Sequence, residues 1–322
     1  FNAGKNVVTS NKELIATHGP ELLRIASSKK LNYLFEASVG GGIPIIRPLI
    51  KSFGSEKINY IFGILNGTTN YILTKMKNDS LSFDDALAEA QELGFAEQNP
   101  KDDIQGMDAC RKLAILSSIV LGEFVDYRNI YTQGIEKITY SDILYADRLG
   151  YKIKLVASFK NNDDNTFEAF VAPVFLPDKS PLTVADGVYN AILVEGNAVG
   201  SSMFYGKGAG KMATASAVVS DIIESALHIN LTPHPLTWEE NGIYKLKNHM
   251  DCKVEAFLRL SDGQETEHLI NQLESVTDVT FMAKEYDGEI AIIAGMSGNL
   301  TEGRLAGIID RSPCCLSMVR IL

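Results

Sequence analysis

The chain has 322 residues, enough for two or three domains, and its 45% hydrophobic and 22% charged residues are typical of soluble globular proteins. Its net charge of −10 argues against nonspecific nucleic-acid binding, and no run of about eighteen apolar residues predicts a membrane span. The four cysteines have neither metal-ligand spacing nor the pattern of a secreted disulfide framework, so a reducing, cytoplasmic compartment is expected.

Residues 1–30 are predicted to be the last part of a Rossmann-type nucleotide-binding domain. A short strand at Val7–Val8 is followed by a helix over residues 12–28, which Pro20 is expected to interrupt because proline cannot continue a helix. The first residues do not form a signal peptide. No G-x-G-x-x-G fingerprint precedes the helix, so most of this domain is expected upstream, and the chain is expected to be a fragment that binds cofactor poorly on its own.

Residues 31–235 are predicted to form an α/β domain with a mixed sheet. Ser82 begins a helix that ends at Leu93, with Gly94 as its C-terminal stop. Strands and helices are further expected in runs of matching hydrophobic pattern, which are 33–46, 58–76, 104–121, 151–159, 167–176, 189–196 and 212–227.

The C-terminal residues 250–322 are predicted to form a separate domain. The Pro-containing sequence LTPHPL at 231–236 and the polar segment that continues to His249 are expected to be the linker before it. The elements beyond the linker follow the order βαββαβ within about seventy residues, which is typical of a small ferredoxin-like fold.

The densest polar cluster lies between Gly94 and Lys112. Asp108 and Lys112 are four residues apart, so they share a helix face, and an exposed salt bridge worth a few tenths of a kcal/mol is one interpretation. A glycine such as Gly106 costs about 1 kcal/mol within a predicted helix, and close approach of a ligand or of another backbone segment would compensate for that cost. A partly buried Lys beside carboxylates can donate and accept a proton. Chemistry alone leaves the two interpretations equal.

Other motifs have structural interpretations of their own. Glycines 40–42 fit a tight turn, and NGTTN at 66–70 fits a helix-capping turn. The sequence GKGAGK at 206–211 is one residue short of a phosphate-binding loop and is followed by Met212 instead of Ser or Thr. The histidines have no catalytic partner in a recognisable motif and are expected to be structural or solvated, namely His18, His228, His234, His249 and His268.

The cluster G-F-A-E-x-x-P-x-D-D-x-x-G-x-D-A-x-R-K resembles the signature of homoserine dehydrogenases. Further blocks resemble the same family in the same order, namely VVTSNK, FEASVGGGIPII, GILNGTTNYILTKM, LGYKIKLVA and GKGAGKMATASAVVSDI. Together they cover the chain from its first residues to about residue 225. The resemblance implies reversible, NAD- or NADP-dependent interconversion of L-homoserine and L-aspartate 4-semialdehyde, in the biosynthesis of threonine, methionine and isoleucine.

The resemblance also implies roles for individual residues. Lys112 matches the acid–base lysine, and Lys12 matches a lysine at the junction of nicotinamide and substrate, assigned either to catalysis or to cofactor binding. The implied substrate-binding residues are Thr68, Gly94, Glu97, Asp102 and Asp108. The implied cofactor-binding residues are Asn11, Lys12 and Gly210. A Na⁺ or K⁺ site is implied at Glu36, Val39, Gly41 and Ile43, since oxygen ligands suit such hard cations.

The C-terminal unit resembles an ACT domain, although the usual D-x-P-G turn is replaced by SDGQ at 261–264. The resemblance implies an amino-acid effector, with threonine as the hypothesis, and a packing or dimerisation domain is the alternative. A homo-oligomer, either a dimer or a tetramer, is expected. Two rival functions are a non-catalytic amino-acid sensor on a dehydrogenase scaffold and another amino-acid dehydrogenase. The complete set of Lys12, Glu97, Asp108 and Lys112 argues against the sensor.

Overall fold

The computed structural model describes residues 1–228, 236–239, 241–282, 286 and 288–322. Within them the α-helices are α1 (Lys12–Ser28), α2 (Gly67–Asn78), α3 (Phe83–Glu92), α4 (Lys101–Ile104), α5 (Met107–Leu121), α6 (Tyr140–Arg148), α7 (Lys211–Leu227), α8 (Gln264–Glu274) and α9 (Glu302–Ile309). The strands there are β1 (Val7–Val8), β2 (Tyr33–Leu34), β3 (Ile58–Ile64), β4 (Tyr131–Thr132), β5 (Tyr151–Asn161), β6 (Thr166–Pro177), β7 (Tyr189–Gly196), β8 (Gly200–Lys207), β9 (Lys245–Leu246), β10 (Ala256–Ser261), β11 (Val279–Phe281), β12 (Glu289–Ala294) and β13 (Cys315–Ile321).

A large mixed sheet organises most of the described chain, as the sequence predicted. Its strand order is β11-β12-β10-β13-β6-β5-β3-β7-β8, and β4 and β9 also pair with β6. Strand β6 pairs with β5 along its length, while its other edge meets β9, β4 and β13 in turn. Strands β1 and β2 form a separate parallel pair beside α1. Because β6 contacts strands from both halves of the chain, it is the structural centre of the molecule.

The main core lies between this sheet and helices α2, α5 and α6. Helix α5 is buried on nearly every face, with Leu113, Ile115 and Leu116 fully inaccessible, as expected for a helix that is apolar nearly all round. Strand β5 is buried over most of its length, which fits a strand covered on both faces. No helix within the described residues has the length and apolar character needed to cross a membrane.

The C-terminal elements follow the predicted order, β10-α8-β11-β12-α9-β13. Their antiparallel order, β11-β12-β10-β13, is that of a ferredoxin-like sheet. Leu258, Leu260 and Leu269 belong to a core of their own. The sheet nevertheless continues into the central one, because Arg320 and Ile321 of β13 pair with β6. We call residues 252–322 the C-terminal module.

Residues 231–235 and 240 of the predicted linker, His234 among them, lie outside the described residues. Within the rest of the predicted linker, Lys245–Leu246 forms β9 and pairs with β6. The predicted strand 279–287 is seen as β11 over Val279–Phe281, and its residues 283–285 and 287 are likewise outside the described range.

Two local predictions were wrong. Helix α1 runs through Pro20 without a break, because Pro20 lies on the buried face with Ile15 and Leu23, whose packing offsets the missing hydrogen bond. Gly19 belongs to this face as well, and a Cβ there would overlap the ring of Trp238. The helix predicted over 104–121 is interrupted at Gly106, which has a φ of +82° and divides α4 from α5.

Candidate active site

The break at Gly106 shapes the candidate site. A left-handed residue between two helices suits glycine, so Gly106 is a junction and not part of a helix interior. A Cβ at Gly106 would also lie 3.1 Å from Cγ2 of Thr132 on β4. We call residues 101–106, which comprise the short helix α4 and the two residues after it, the acid loop. The break brings the acid loop and the first turn of α5 together beneath the end of β3.

Five side chains meet there, and we call them the acid cluster: Lys12, Asn66, Asp103, Asp108 and Lys112. The Nζ of Lys112 lies 2.7 Å from Asp108 Oδ2 and donates to the carbonyl oxygen of Leu65, also at 2.7 Å. The Nζ of Lys12 lies 3.0 Å from Asp108 Oδ1. The Asp108 carboxylate is therefore shared by two ammonium groups that come from helices far apart in the sequence.

Asn66 connects the two carboxylates of the cluster. It caps α2, because its side-chain oxygen accepts from the backbone N–H of Thr69 at 2.8 Å. Its amide nitrogen donates to Asp103 Oδ1 at 2.6 Å and to Asp108 Oδ2 at 2.8 Å. Asn66, which lies between β3 and α2, therefore both caps a helix and positions two acids.

The two carboxylates have pKa values shifted in opposite directions. Burial by itself would raise the pKa of Asp108, but attraction to Lys112 and Lys12 outweighs it and lowers that pKa to about 2. Burial and the negative charge of Asp108 both raise the pKa of Asp103. Among the described residues, no Lys, Arg or His forms a salt bridge with Asp103. Of the two carboxylates in the acid cluster, Asp108 forms salt bridges and Asp103 forms none among the described residues.

The predicted substrate-binding residues divide into two groups. Thr68 is buried, donates to the carbonyl oxygen of Phe95 at 2.7 Å, and interacts with Asp103. Gly94 has a φ of +74° and ends α3, as predicted. Glu97 is exposed in the loop that follows. The structure turns Asp102 away from the cluster, since it pairs with Arg111 and remains 64% exposed, and its neighbour Asp103 lies beside Asp108 instead.

The predicted cofactor residues lie at two helix N-termini. Asn11 is exposed and caps α1, accepting from the N–H of Leu14 at 3.0 Å, which places Lys12 in the first turn. Gly210 precedes α7, whose N-terminus has no side-chain cap, and open space surrounds the position that a Cβ would occupy there. Gly41 packs so closely against Gly208 that a Cβ at Gly41 would overlap its carbonyl group.

The residues of the predicted cation site surround the triple-glycine turn. Glu36 is buried, and burial raises the pKa of its carboxyl group. Its oxygens accept from the backbone N–H groups of Ile45, Ile46 and Arg47 at 2.7–2.9 Å. Positive φ values at Gly40 and Gly41 curve the segment that contains Val39, Gly41 and Ile43. No cluster of His, Cys, Asp and Glu suited to a metal occurs among the described residues.

Sequence reasoning missed Asn66 and Asp103. The helix cap was a usable signal for Asn66, because Asn at an N-cap orients its side chain towards the helix start. The Asp102–Asp103 pair carried no signal that distinguished its members. Only the turn of the acid loop determines which of the two faces Asn66.

Comparisons with known proteins find similar sequences in one family. Residues 44–223 match the family described as "Homoserine dehydrogenase". A homoserine dehydrogenase from Lactococcus lactis is 38% identical over 317 residues, which are 97% of this chain and 74% of that protein. Another, from Synechocystis, is 47% identical over 222 residues, or 68% of this chain and 51% of the relative. The chain therefore spans between about half and three quarters of the length of these relatives.

Solved structures give the same result. A homoserine dehydrogenase from Thiobacillus denitrificans aligns with a TM-score of 0.89 and 33% identity, covering 100% of this chain and 77% of that one. A hyperthermophilic archaeal homoserine dehydrogenase in complex with NADPH aligns with a TM-score of 0.62 and 34% identity, covering 70% of this chain and 65% of that one.

Proposed function

Because the chain belongs to the homoserine dehydrogenase family, we propose that it reversibly interconverts L-homoserine and L-aspartate 4-semialdehyde with NAD or NADP. This reaction serves the biosynthesis of threonine, methionine and isoleucine. The observation that carries the proposal is the position of Lys112, held between Asp108 and the Leu65 carbonyl with one ammonium N–H remaining. A lysine positioned in this way can, as the neutral amine, accept the proton of a substrate hydroxyl during oxidation and, as the ammonium, return it during reduction.

Lys112 is proposed as the acid–base residue. In the oxidation direction Lys112 acts as the neutral amine: it takes the proton of the substrate hydroxyl and becomes an ammonium, while the carbinol carbon loses hydride. Bound NAD(P)⁺ supplies the acceptor for that hydride. The positive charges of Lys112 and Lys12 would stabilise the developing alkoxide, and this stabilisation is strong because Asp108 and Lys112 are shielded from water.

The substrate ammonium is proposed to meet carboxylates at the edge of the acid cluster. Asp108 is already shared by two lysines, so Asp103 is the better-placed acid, with Thr68 beside it. Glu97 and the backbone of Gly94 lie on the loop that follows α3 and remain proposed ligands from the open side. Asp102 is proposed only as an indirect contributor, because its salt bridge to Arg111 helps to fix the acid loop.

Cofactor binding is proposed at Asn11, Lys12 and Gly210. The uncapped N-terminus of α7 and the open space at Gly210 suit the approach of a phosphate-bearing ligand. We propose that residues 1–30 are the end of the nucleotide-binding domain, packed with residues 206–228. The hydrogen bond from Asn6 to Ser225, 2.9 Å long, supports that packing. NADP is a proposed cofactor, since one structural neighbour was solved with NADPH.

The remaining assignments are also proposals. A Na⁺ or K⁺ ion would take the carbonyl oxygens of Val39, Gly41 and Ile43, since the Glu36 carboxylate already accepts three backbone N–H groups. The ferredoxin-like topology supports residues 250–322 as an ACT-like domain, with threonine as the proposed effector. A homodimer or tetramer and a cytoplasmic location are proposed from the resemblance and the free cysteines.

The experiment that tests the function follows nicotinamide absorbance with protein from the complete reading frame. L-Homoserine should be oxidised with NAD⁺ or NADP⁺, whereas 4-hydroxybutyrate, which lacks the ammonium group, should be a poor substrate. The carboxylates of the cluster would have no cation to bind in that analogue. Equal turnover of the two compounds would remove the proposed role of Asp103. Absence of turnover with both cofactors would favour the amino-acid sensor.

A further inference from the structure

A second buried network lies behind the acid loop, and we call its five side chains the Arg320 hub: Arg320, Glu302, Gln133, Tyr131 and His249. The Arg320 guanidinium donates to both oxygens of Glu302, at 2.6 and 2.9 Å. It donates as well to Gln133 Oε1 at 2.6 Å and to the hydroxyl of Tyr131 at 3.1 Å. Arg320 and Glu302 belong to the C-terminal module, whereas Tyr131 and Gln133 belong to the catalytic half of the chain.

The backbone next to Gln133 is fixed to both the central sheet and the acid loop. The N–H of Gln133 donates to the Val171 carbonyl on β6 at 2.8 Å, and the N–H of Ile135 donates to the Ile104 carbonyl at 2.9 Å. Gly134 lies so close to the acid loop that a Cβ there would overlap the Ile104 carbonyl. The segment 131–135 is therefore packed between Arg320 on one side and the acid loop on the other.

We infer that Gln133 is a positioning residue through which Arg320 of the C-terminal module holds the acid loop, and with it Asp103, in place for substrate. The inference rests on the proposed function for its effect on L-homoserine, but its structural part does not. The route is short and continuous: Arg320 holds the Gln133 side chain, and the adjoining backbone holds Ile104, the residue after Asp103. Asp103 in turn reaches Asp108 through Asn66.

The connection from Arg320 through Gln133 to the acid loop is stiff for a physical reason. Every step is a buried or part-buried hydrogen bond or a glycine contact without room for displacement. Close-packed interiors shift between discrete arrangements and do not deform gradually. Asn66 donates a hydrogen bond to the Asp103 carboxylate, and the position of that carboxylate also depends on the backbone of the acid loop. A change in the C-terminal module would reach the substrate pocket by this route.

The test uses Gln133→Ala in the complete protein, with Gln272→Ala as the matched control. Gln272 lies exposed on α8 of the C-terminal module, and its side chain hydrogen-bonds only to His268 among the described residues. We expect Gln133→Ala to raise KM for L-homoserine roughly 2- to 30-fold, the range found for side-chain networks that couple sites. The KM for cofactor should stay unchanged, and kcat should change less than KM.

Hydrogen exchange measures the link independently of activity. The amides of residues 103–106 are all hydrogen-bonded to carbonyl groups of residues 100–103, so loosening of the acid loop should make them exchange faster in Gln133→Ala than in Gln272→Ala. Gln133→Glu retains an acceptor for Arg320 and should restore both protection and KM towards the wild-type values. Restoration by Glu would separate positioning from a general loss of packing.

The outcomes distinguish the inference from the proposed function. If wild-type protein does not oxidise L-homoserine, the proposed function fails while the exchange comparison still decides whether Gln133 holds the acid loop. If Gln133→Ala matches Gln272→Ala in both exchange and KM, the inference is overturned even in a fully active enzyme. If Gln133→Ala loses folded structure, Gln133→Glu alone is compared with wild type. The inference is overturned if the exchange rate of residues 103–106 or the KM of Gln133→Glu differs from that of wild type.

Discussion

The acid cluster includes Asp103 of the acid loop, and the Arg320 hub includes Tyr131 and Gln133 of the neighbouring segment 131–135. The two networks differ in how completely their charged groups are paired. In the hub, the side chains of Arg320, Glu302 and His249 are 5%, 7% and 11% exposed, and the guanidinium donates to four side-chain oxygens. In the acid cluster, Lys12 is 36% exposed, and Asp103 forms no salt bridge among the described residues. A closed network fixes a position, whereas an open one leaves groups free to bind a ligand.

Protonation distinguishes the two networks in the same way. The acid cluster contains two carboxylates whose pKa values are moved apart, which is the usual arrangement where acid–base chemistry occurs. In the hub, burial lowers the pKa of His249 to about 4, so the ring is neutral at physiological pH and stacks on Tyr131 with centroids 3.8 Å apart. The hub therefore has one charge pair, and its histidine is neutral at physiological pH.

The largest expected effect follows from the substitution Lys112→Met. Loss of the ammonium should lower kcat for L-homoserine by about 10²- to 10⁴-fold, because general acid–base catalysis is lost. Lys75→Met is the matched control, since Lys75 also pairs with an Asp four residues away, Asp79, at the protein surface. Steady-state kinetics and circular dichroism would check both variants. Similar losses in the two would show that the acid cluster is no more functional than an exposed salt bridge.

An intermediate effect is expected for Asn66→Ala, compared with Ser82→Ala. Both residues cap helices with their side-chain oxygens, so each substitution should cost about 1 kcal/mol of stability from the cap. Asn66→Ala also removes the amide that donates to both Asp103 and Asp108. Each hydrogen bond to a charged group contributes about 1.5–3 kcal/mol. We therefore expect kcat/KM for L-homoserine to fall by a factor of about 10 to 100 in this variant but not in Ser82→Ala. Urea unfolding and kinetics would separate the two effects, and unchanged kcat/KM in Asn66→Ala would show that the amide only caps the helix.

The smallest expected effect is a difference in the pH range over which each network loses stability. His249 has a folded-state pKa below its unfolded value of about 6.5, so its contribution is complete above that pH and is lost as pH falls towards 4. Asp108 also has a lowered pKa, so its contribution is present above about pH 3.9 and is lost as pH falls towards 2. At about 1.4 kcal/mol per pKa unit, the contribution of His249 is about 3 kcal/mol and that of Asp108 is about 2–3 kcal/mol.

Urea midpoints measured between pH 8 and pH 3 would check this expectation. His249→Phe should remove the loss of stability between pH 6.5 and pH 4 while leaving the steeper loss at lower pH. A variant that retains the full loss in the upper range would show that His249 is not the group that titrates there.

Short-range patterns account for what could be predicted of the fold. Helix α1 has the predicted bounds, Ser82 caps α3 as expected, and the βαββαβ order of the C-terminal module is confirmed. These features depend on residues a few positions apart, such as a hydroxyl facing the third N–H of a helix. Strand β8 was missed because its alternating exposed and half-buried residues include two glycines and two serines, which give a weak strand pattern.

The sequence by itself determined the family, through blocks of residues whose order matched known homoserine dehydrogenases, and it identified Lys112, Asp108 and Lys12 as candidates. Only the tertiary structure decided that Asp103 faces Asn66 while Asp102 faces Arg111, and that Arg320 reaches Gln133 across 187 positions. The physical reason is that these contacts join distant segments. Their geometry depends on the break at Gly106 and on the pairing of β13 with β6, which no local pattern specifies.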